Sequence, residues 1–379
     1  MRVGVPKEIK VQEYRVGLVP ASVRELVRDG HSVLVQSGAG AGIDCTDEDY
    51  RACGAEIARD ADTVFRESEL IVKVKEPQLP ECARLHRGQV LFTFLHLAAD
   101  PEQAQALQRS QCIAIAYETV TAKDGSLPLL APMSEIAGRM SVQVGANCLL
   151  KGCGGRGVLI GGAAGVPPAK VVVLGVGVAG SHAVQIAHGL RAEVWAVDSS
   201  VPRLREIDAR FDGAVHTLYS TAESIERAVA DADLVVGAVL IPGAAAPKLV
   251  SAQTVRRMRR GSVIVDIAID QGGCIETSRP TTHSEPTYVV EGVIHYCVTN
   301  MPGAVPRTSS FALNNVTLPY VKALANKGWE RATADDAGLA AGLNVVDGRV
   351  VRLAVAHALR SAYPPAGKAS TRAPPRRAI

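Results

Sequence analysis

The chain has 379 residues and a formal net charge of +3. Hydrophobic residues make up 47% of it and charged residues 21%, a composition that excludes wholesale disorder and supplies a sizeable core. The length favours two domains. Residues 364–379 hold four basic side chains and no acid, so the rest of the chain carries a formal charge of −1. We expect this Pro- and Ala-rich tail to be disordered, and we predict no nucleic-acid partner because its charges are few.

The cysteines and the N-terminus indicate the compartment. The eight cysteines form no Cys-x-x-Cys pair, and no Cys/His cluster has the spacing of a zinc site. The N-terminus lacks the apolar segment of a signal peptide, and apolar stretches are interrupted by Gly or Pro. We therefore expect a cytoplasmic protein with reduced thiols and no membrane span.

Strand-like and helix-like segments alternate along the N-terminal third of the chain. Strands are predicted where β-branched and aliphatic residues cluster, and amphipathic helices lie between them. This alternation is typical of a parallel α/β domain. The predicted strands are 2–5, 32–36, 70–74, 89–93 and 113–116, and the predicted helices include 20–29 and 101–109.

Two long helical patterns flank a second set of strands. The first runs from Ser134 to about Lys151, and Ser134 can cap it. Residues 152–165 hold seven glycines and are predicted to form a loop or a tight hairpin. The second runs from 309 to 329, with a kink expected at Pro319. The strands predicted between them are 171–174, 193–197, 234–239, 262–267 and 294–299.

This order predicts that the chain leaves one domain, builds a second and returns. We predict an α/β fold of two Rossmann-like, doubly wound domains, the first discontinuous, linked by long helices with a cleft between them. The predicted substrate domain comprises residues 1–130 and 305–363, and the nucleotide domain comprises residues 131–304.

A glycine-rich turn is the strongest motif. Gly175, Gly177 and Gly180 follow a β-branched strand in the pattern Gly-x-Gly-x-x-Gly. The first glycine permits a tight turn, the second lets the backbone approach a pyrophosphate, and the third lets the next helix pack closely. Asp198 follows Gly175 by 23 residues, a distance at which its carboxylate can accept the ribose hydroxyls of NAD. The motif predicts dinucleotide binding. The alternative interpretation is an ordinary βαβ turn without a ligand.

Three polar residues of the first domain are candidates for chemistry. Arg15 is suited to capture a small carboxylate. Lys75 closes a predicted strand and can polarise a carbonyl, and His96 follows the next strand and can exchange a proton. Each also has an ordinary interpretation: a surface cation for Arg15, a strand-end charge for Lys75 and a capped core histidine for His96.

Strand ends of the second domain add further candidates. Asp266 lies within an apolar strand and needs a partner if it is buried. Asp270 lies past the strand end, where it faces the predicted crevice or merely begins a turn before Gly-Gly. The segments 234–240 and 298–301 also end strands near the expected cofactor.

Eight phrases in order resemble the alanine dehydrogenases, a family that shares ancestry with the nucleotide-binding subunit of proton-translocating transhydrogenases. The resemblance runs from Met1 to about Trp329, and no motif covers 340–379. The phrases are Arg-Val-Gly-Val-Pro-Lys-Glu at 2–8, Glu-Tyr-Arg-Val-Gly-Leu-Val-Pro at 13–20, Val-Lys-Glu-Pro at 74–77, Phe-Thr-Phe-Leu-His at 92–96, Leu-Leu-Ala-Pro-Met-Ser-Glu-Ile-Ala-Gly-Arg at 129–139, Gly-Gly-Arg-Gly-Val-Leu at 154–159, Val-Asp-Ile-Ala-Ile-Asp-Gln-Gly-Gly at 265–273 and Ser-Arg-Pro-Thr-Thr at 278–282.

The resemblance implies a role for each matching position. Arg15 and Lys75 match the family's substrate ligands, and His96 and Asp270 match its catalytic pair. Some members hold a metal ion near 323–327, but Ala323 and Lys327 stand here, so we predict no metal. Matches to cofactor contacts are Ser134, Val178, Ala179, Asp198, Arg203, Ser220, Val239, Leu240, Ile267, Ala268, Ile269, Asp270, Arg279, Val298, Thr299, Asn300 and Met301.

The implied function is reversible, NAD-dependent oxidative deamination of L-alanine to pyruvate and ammonium by a homohexamer. A transhydrogenase-like subunit, which needs a membrane partner, is one alternative. A non-catalytic NAD-binding regulator is another. A dehydrogenase for a different small amino acid, such as glycine with glyoxylate, is a third, because the sequence does not reveal the pocket wall that would contact the methyl group.

Overall fold

A computed structural model of the chain describes residues 1–239 and 246–359. Leu240 and the basic tail lie outside the described residues. The described strands are β1 (Arg2–Val5), β2 (Ser32–Gln36), β3 (Glu56–Ala58), β4 (Leu70–Val72), β5 (Val90–Thr93), β6 (Ile113–Ala116), β7 (Lys170–Leu174), β8 (Glu193–Asp198), β9 (His216–Tyr219), β10 (Leu234–Gly237), β11 (Val263–Asp266), β12 (Thr287–Val290), β13 (Val293–Tyr296), β14 (Leu343–Val346) and β15 (Arg349–Val350).

The helices between these strands complete the α/β pattern. The described α-helices are α1 (Pro20–Arg28), α2 (Asp47–Arg51), α3 (Ala61–Glu67), α4 (Leu79–Cys82), α5 (Pro101–Ser110), α6 (Ala131–Cys148), α7 (Val178–Gly189), α8 (Val201–Arg210), α9 (Ala222–Ala230), α10 (Ala252–Arg257), α11 (Pro306–Lys327), α12 (Trp329–Asp335), α13 (Ala337–Ala340) and α14 (Leu353–Ala358).

The chain forms two compact units. The first joins Met1–Leu130 to the described residues from Pro306 onward, and the second is Ala131–Val305. The first unit holds an eight-stranded sheet in the order β15-β14-β6-β5-β4-β1-β2-β3. Strands β1–β6 run parallel, whereas β14 and β15 extend the sheet with antiparallel pairs.

The second unit holds a seven-stranded sheet in the order β12-β13-β11-β10-β7-β8-β9, parallel except for β12. In both units the central strands are buried along their whole length, which is why they are continuous Val/Ile/Leu runs covered by helices on both faces. The predicted α/β fold with two domains is confirmed.

The structure corrects several local predictions. Helix α6 begins at Ala131, so Ser134 lies inside it and does not cap it. Pro132, in the first turn, is compatible with an earlier start because its missing N–H has no intrahelical partner there. Strand β4 ends at Val72, so Lys75 lies three residues beyond the strand that it was predicted to close. Of the two predicted forms of the glycine-rich segment 152–165, the structure shows a loop without a regular strand, and its end forms an isolated antiparallel bridge between Ala163 and Val166.

Candidate functional site

The glycine-rich turn between β7 and α7 has three different geometries. Gly175 has φ +86°, a conformation that favours glycine, and a Cβ on Gly180 would lie only 1.7 Å from the Gly175 carbonyl oxygen. A Cβ on Gly177 would meet no described atom within 4 Å. Helix α7 begins at Val178, and no side chain of the described residues caps it. The helix N-terminus therefore offers backbone N–H groups beside an open glycine, an arrangement that suits a pyrophosphate.

Asp198 ends β8 next to this turn. Its Oδ2 accepts a hydrogen bond of 2.8 Å from the Val176 N–H, and its Oδ1 accepts one of 2.8 Å from the Ser200 N–H. The Arg203 guanidinium lies 3.9 Å from Oδ2 and is 57% exposed. The carboxylate is thus held in place by backbone donors and still has lone pairs for the hydroxyls of a ribose.

The other predicted cofactor positions of the second unit follow neighbouring strands. Parallel strands have their carboxyl ends at one edge of the sheet, and the chain reverses its direction across the sheet between β7 and β10. A Cβ on Gly175 would contact the side chain of Val239 at 2.9 Å, so the ends of β7 and β10 meet. Ser220 follows β9, Ile267–Asp270 follow β11, and Val298–Met301 follow β13.

Helix α6 packs closely against α7 where Gly138, which has no side chain, lies next to the backbone of Ala179. A Cβ on Gly138 would lie 2.0 Å from the carbonyl oxygen of Ala179. Ser134, one turn earlier on α6, is half-buried. The close approach of these helices brings a second predicted cofactor residue into the region of the glycine-rich turn.

Asp266 organises the loop that carries Asp270. Its carboxylate accepts hydrogen bonds from the N–H groups of Ala268 at 3.1 Å, Cys274 at 3.0 Å and Ile275 at 3.3 Å. Burial raises the pKa of Asp266, although these hydrogen bonds oppose the shift. The partner that the sequence required is therefore the backbone of the loop itself, and Asp270 is exposed on the 3₁₀ turn Ile267–Gln271.

Tyr288 and His283, which the sequence analysis did not single out, contact two of the predicted cofactor-binding residues. The Arg279 guanidinium lies 4.1 Å above the Tyr288 ring, whose hydroxyl accepts a 2.7 Å hydrogen bond from the Arg279 N–H. His283 Nε2 lies 3.2 Å from the carbonyl oxygen of Asn300, a residue with φ +60°. Both contacts fix a loop at the carboxyl edge of the sheet.

In the first unit, Arg15, Lys75 and His96 follow the neighbouring strands β1, β4 and β5. Arg15 is 2% exposed, so its interpretation as a surface cation is wrong. Its Nε and Nη2 donate to the Glu13 carboxylate at 2.7 and 2.5 Å, which fixes the plane of the guanidinium. A Cβ on Gly17 would lie 2.3 Å from the Val72 carbonyl oxygen, so this segment lies against the end of β4.

A buried ionic cluster that the sequence analysis missed lies beneath Lys75. Lys73 is fully buried, and its Nζ donates to Glu8 at 2.9 Å and to Glu81 at 2.7 Å. Burial and the second carboxylate raise the pKa of Glu8 because one ammonium cannot neutralise both acids. The other oxygen of Glu8 accepts hydrogen bonds from the Val74 and Lys75 N–H groups at 2.7 and 3.4 Å. The sequence feature that could have revealed this cluster is the charged Lys73 in an otherwise apolar stretch at the end of β4.

Glu76 provides the negative charge next to Lys75. Their charged atoms lie 4.0 Å apart, and Lys10 bonds to the other oxygen of the same carboxylate. Burial disfavours the ionised form of Glu76, but Lys75 and Lys10 outweigh that effect and lower its pKa. The backbone of Lys75 is tied to β5 because its carbonyl accepts a 2.9 Å hydrogen bond from the Thr93 hydroxyl.

His96 is exposed, so its interpretation as a core histidine is wrong. Its imidazole stacks on the Phe94 ring with centroids 5.8 Å apart and planes 4° apart. Its backbone adopts φ +50°, and its N–H donates to Glu118 at 2.7 Å. Lys75 and the exposed imidazole of His96 thus follow the ends of adjacent strands, and the buried guanidinium of Arg15 belongs to a segment that lies against the end of β4.

The described residues also bear on membrane spans, metal sites and thiols. No helix in the described ranges is long and apolar enough to cross a membrane. No group of three or more His, Cys, Asp or Glu side chains in those ranges could hold a metal ion, and Lys327 pairs with Asp335 at 2.7 Å. All eight cysteines are described, and each is a free thiol.

The fold and the edge geometry define a two-unit α/β protein with a dinucleotide-type glycine turn. The chain belongs to the alanine dehydrogenase/PNT family: the model of the family's N-terminal domain matches residues 4–137, and that of its C-terminal domain matches residues 141–352.

Relatives match almost the full length of the chain. An alanine dehydrogenase from Halomonas elongata is 56% identical over 96% of this chain and 98% of its own length. A solved L-alanine dehydrogenase structure is 53% identical, with a TM-score of 0.92, over 95% of this chain and 99% of that one. A transhydrogenase from Sinorhizobium meliloti is 25% identical, with a TM-score of 0.79, over 93% of this chain and 100% of that one.

Proposed function

We propose that this chain is an NAD-dependent L-alanine dehydrogenase. It converts L-alanine, NAD⁺ and water into pyruvate, ammonium, NADH and a proton, and the reaction is reversible. The observation that carries the proposal is the set of Arg15, Lys75 and His96 in segments that follow three adjacent strands, in a chain more than half identical to alanine dehydrogenases over nearly its full length. A transhydrogenase-like subunit has less support because its solved relative is only 25% identical.

The second unit fits NAD. The open Gly177 and the uncapped start of α7 suit the pyrophosphate, and the Asp198 carboxylate suits a ribose with free hydroxyls. Bound NAD supplies the acceptor for the hydride that leaves the Cα of alanine. The remaining proposed contacts are those at the strand ends: Ser134, Ala179, Arg203, Ser220, Val239, Ile267–Asp270, Arg279 and Val298–Met301.

The first unit fits the amino acid. Arg15 and Lys75 bind the carboxylate and, in the reverse reaction, the carbonyl oxygen of pyruvate. Glu13 keeps the guanidinium of Arg15 in one plane, so this cation does not need to be ordered when substrate arrives, and Glu8 holds the backbone N–H of Lys75. Prior ordering of charged groups lowers the entropy that substrate binding loses.

His96 moves the protons. In its neutral form it accepts a proton from the water that attacks the imine carbon, and it returns that proton to the leaving ammonia. Asp270 supplies negative charge to the cationic imine. Its exposure on the 3₁₀ turn leaves its carboxylate available to a substrate.

The proposal extends to organisation. The substrate domain comprises residues 1–130 and 305–363, and the NAD domain comprises 131–304; the two compact units, which divide after Leu130 and Val305, support these bounds. The protein acts as a homohexamer in the cytoplasm. Resemblance to the family supports the hexamer, and eight free thiols agree with a reducing compartment.

An assay of NADH formation tests the function. The purified protein is given L-alanine, glycine, L-serine or L-valine with NAD, and the reverse reaction is run from pyruvate or glyoxylate with ammonium. We expect kcat/KM to be highest for L-alanine and pyruvate. A preference for glycine and glyoxylate would contradict the alanine assignment, and hydride transfer only between nucleotides would favour the transhydrogenase-like alternative.

A further inference from the structure

The backbone of His96 adopts an unusual conformation, and its N–H donates a hydrogen bond to the carboxylate of Glu118. His96 has φ +50°, in the left-handed region that non-glycine residues seldom occupy. Its N–H donates to Glu118 Oε1 at 2.7 Å, and the Leu95 N–H lies 3.3 and 3.2 Å from the two oxygens of the same carboxylate. Glu118 therefore accepts from both backbone donors that precede the imidazole. Such conformations persist where surrounding groups enforce them, and they concentrate at functional sites.

Glu118 itself lies in a well-anchored turn. The 3₁₀ turn Tyr117–Thr119 follows β6, the strand next to β5. Tyr117 is fully buried, and its hydroxyl donates to the Lys73 carbonyl at 2.9 Å, while its ring packs edge-on against Phe92 and Phe94. Tyr117 is therefore anchored by a backbone hydrogen bond just beyond β4 and by ring contacts with β5 and the segment that follows it. The carboxylate thus acts from a fixed position.

We propose that Glu118 is a positioning residue for the proton transfer that His96 performs. It holds the His96 backbone in the left-handed conformation, so that the imidazole lies parallel to the Phe94 ring and exposed to substrate. The inference rests on the proposed function, which assigns the proton transfer to His96. Glu118 contacts two backbone N–H groups of that strand end, so it acts through His96 and not on the substrate.

The geometry requires a full-length carboxylate. Two converging N–H donors match an acceptor with two equivalent oxygens, and the ionised form makes the stronger hydrogen bonds. A glutamine would turn its NH₂ group toward one of these donors. An aspartate is shorter than a glutamate by one methylene group, which is about 1.5 Å, the length of a single C–C bond. This shortening is too large for the 2.7 Å hydrogen bond to the His96 N–H to stay unchanged.

A double-mutant cycle tests the inference. Glu118→Gln is expected to lower kcat for alanine oxidation by roughly tenfold to a hundredfold, because small misplacements of a reacting group have effects of that size. KM for alanine and Kd for NAD should change by less than about threefold, since Arg15, Lys75 and the second unit are untouched. In a His96→Ala background, Glu118→Gln should lower kcat no further. Glu102→Gln, at an exposed position at the start of α5, is the matched control and should leave all three constants unchanged.

Amide hydrogen exchange at Leu95 and His96 gives a readout independent of turnover. Exchange at both positions should accelerate in Glu118→Gln and in Glu118→Asp, which serves if the glutamine variant folds poorly. Equal kcat losses with and without His96, unchanged exchange, or wild-type kcat in Glu118→Gln would each overturn the positioning role. If the wild type fails to oxidise alanine, the proposed function fails; if it oxidises alanine and only His96→Ala impairs it, the inference alone fails.

Discussion

At the scale of single residues, the proposed role of Asp198 is to select which dinucleotide the second unit accepts. Its buried carboxylate would repel a 2′-phosphate, whereas Arg203, 3.9 Å away, would attract one. We expect Asp198→Ala to lower the ratio of kcat/KM for NAD to that for NADP by ~10-fold or more, equivalent to about 1.4 kcal/mol. Steady-state kinetics with both cofactors measure this ratio.

A second substitution separates the two charges. In the Asp198→Ala background, Arg203→Ala should restore most of the preference for NAD, because the cation that welcomes the phosphate is gone. Equal turnover of NAD and NADP by the wild type would contradict the placement of Asp198 on the ribose.

Glu8 gives a prediction about pH. Its folded-state pKa is raised above 4.5, the ordinary glutamate value, so the folded protein holds this proton more tightly than the unfolded chain does. The group therefore favours folding most below the unfolded pKa, and the contribution is lost as pH rises through the folded pKa. The melting temperature of the wild type minus that of Glu8→Gln should fall as pH rises from about 4.5. A difference that grows with pH would refute the shift.

Only part of the candidate site could be predicted from the identities of its residues. The glycines and Asp198 could be singled out because a dinucleotide-type turn has these residues at fixed offsets. Glu118 and Tyr288 could not, because a side chain that hydrogen-bonds to a backbone far along the chain leaves no periodic pattern. Glu13 could not, because the pattern does not show that Arg15, two residues on, is buried. The sequence indicated Lys75, but only the fold revealed that Lys73 nearby is fully buried between two carboxylates.

At the scale of elements, the close packing of α7 on its own turn is testable. A Cβ on Gly180 would lie 1.7 Å from a carbonyl oxygen, so Gly180→Ala must displace the turn or the helix. We expect NAD affinity to fall by ~10-fold or more, together with a lower melting temperature. Fluorescence titration and thermal unfolding measure both.

The same helix offers the control. A Cβ on Gly189, at the end of α7, would meet no described atom within 4 Å. Gly189→Ala should leave NAD affinity unchanged and should raise stability slightly, because alanine favours helix over glycine by up to about 1 kcal/mol. Similar losses in both variants would contradict the role of close packing at Gly180.

Elements were predicted well where both faces of a strand are buried. Continuous apolar runs gave β1, β2 and β6 with their observed bounds. Strands β9 and β12 were missed because they are partly exposed, and β14 because it joins the first sheet from the far end of the chain. Ser134 was mistaken for a cap because the sequence offers two compatible helix starts three residues apart, and the helix adopts the earlier one.

At the scale of the whole molecule, the proposal assigns substrate binding and proton transfer to the first unit, and it assigns cofactor binding and the charge of Asp270 to the second. Variants at the proton-transfer site of the first unit should therefore change alanine turnover and leave NAD affinity unchanged. His96 lies in the first unit, so His96→Ala should leave the Kd for NAD unchanged while it impairs turnover. His86, an exposed histidine of the same unit, provides the matched substitution.

The most direct test is kcat for alanine oxidation, measured against pH for the wild type, His96→Ala and His86→Ala. The wild-type rate should rise with pH because the proposed deamination step needs the unprotonated imidazole, which accepts a proton from the attacking water. His96→Ala should lower kcat by about 10²–10⁴-fold and abolish this rise, with NAD affinity retained, while His86→Ala behaves as the wild type. A flat wild-type profile, together with near-wild-type kcat in His96→Ala, would contradict the account and reduce the first unit's site to carboxylate binding.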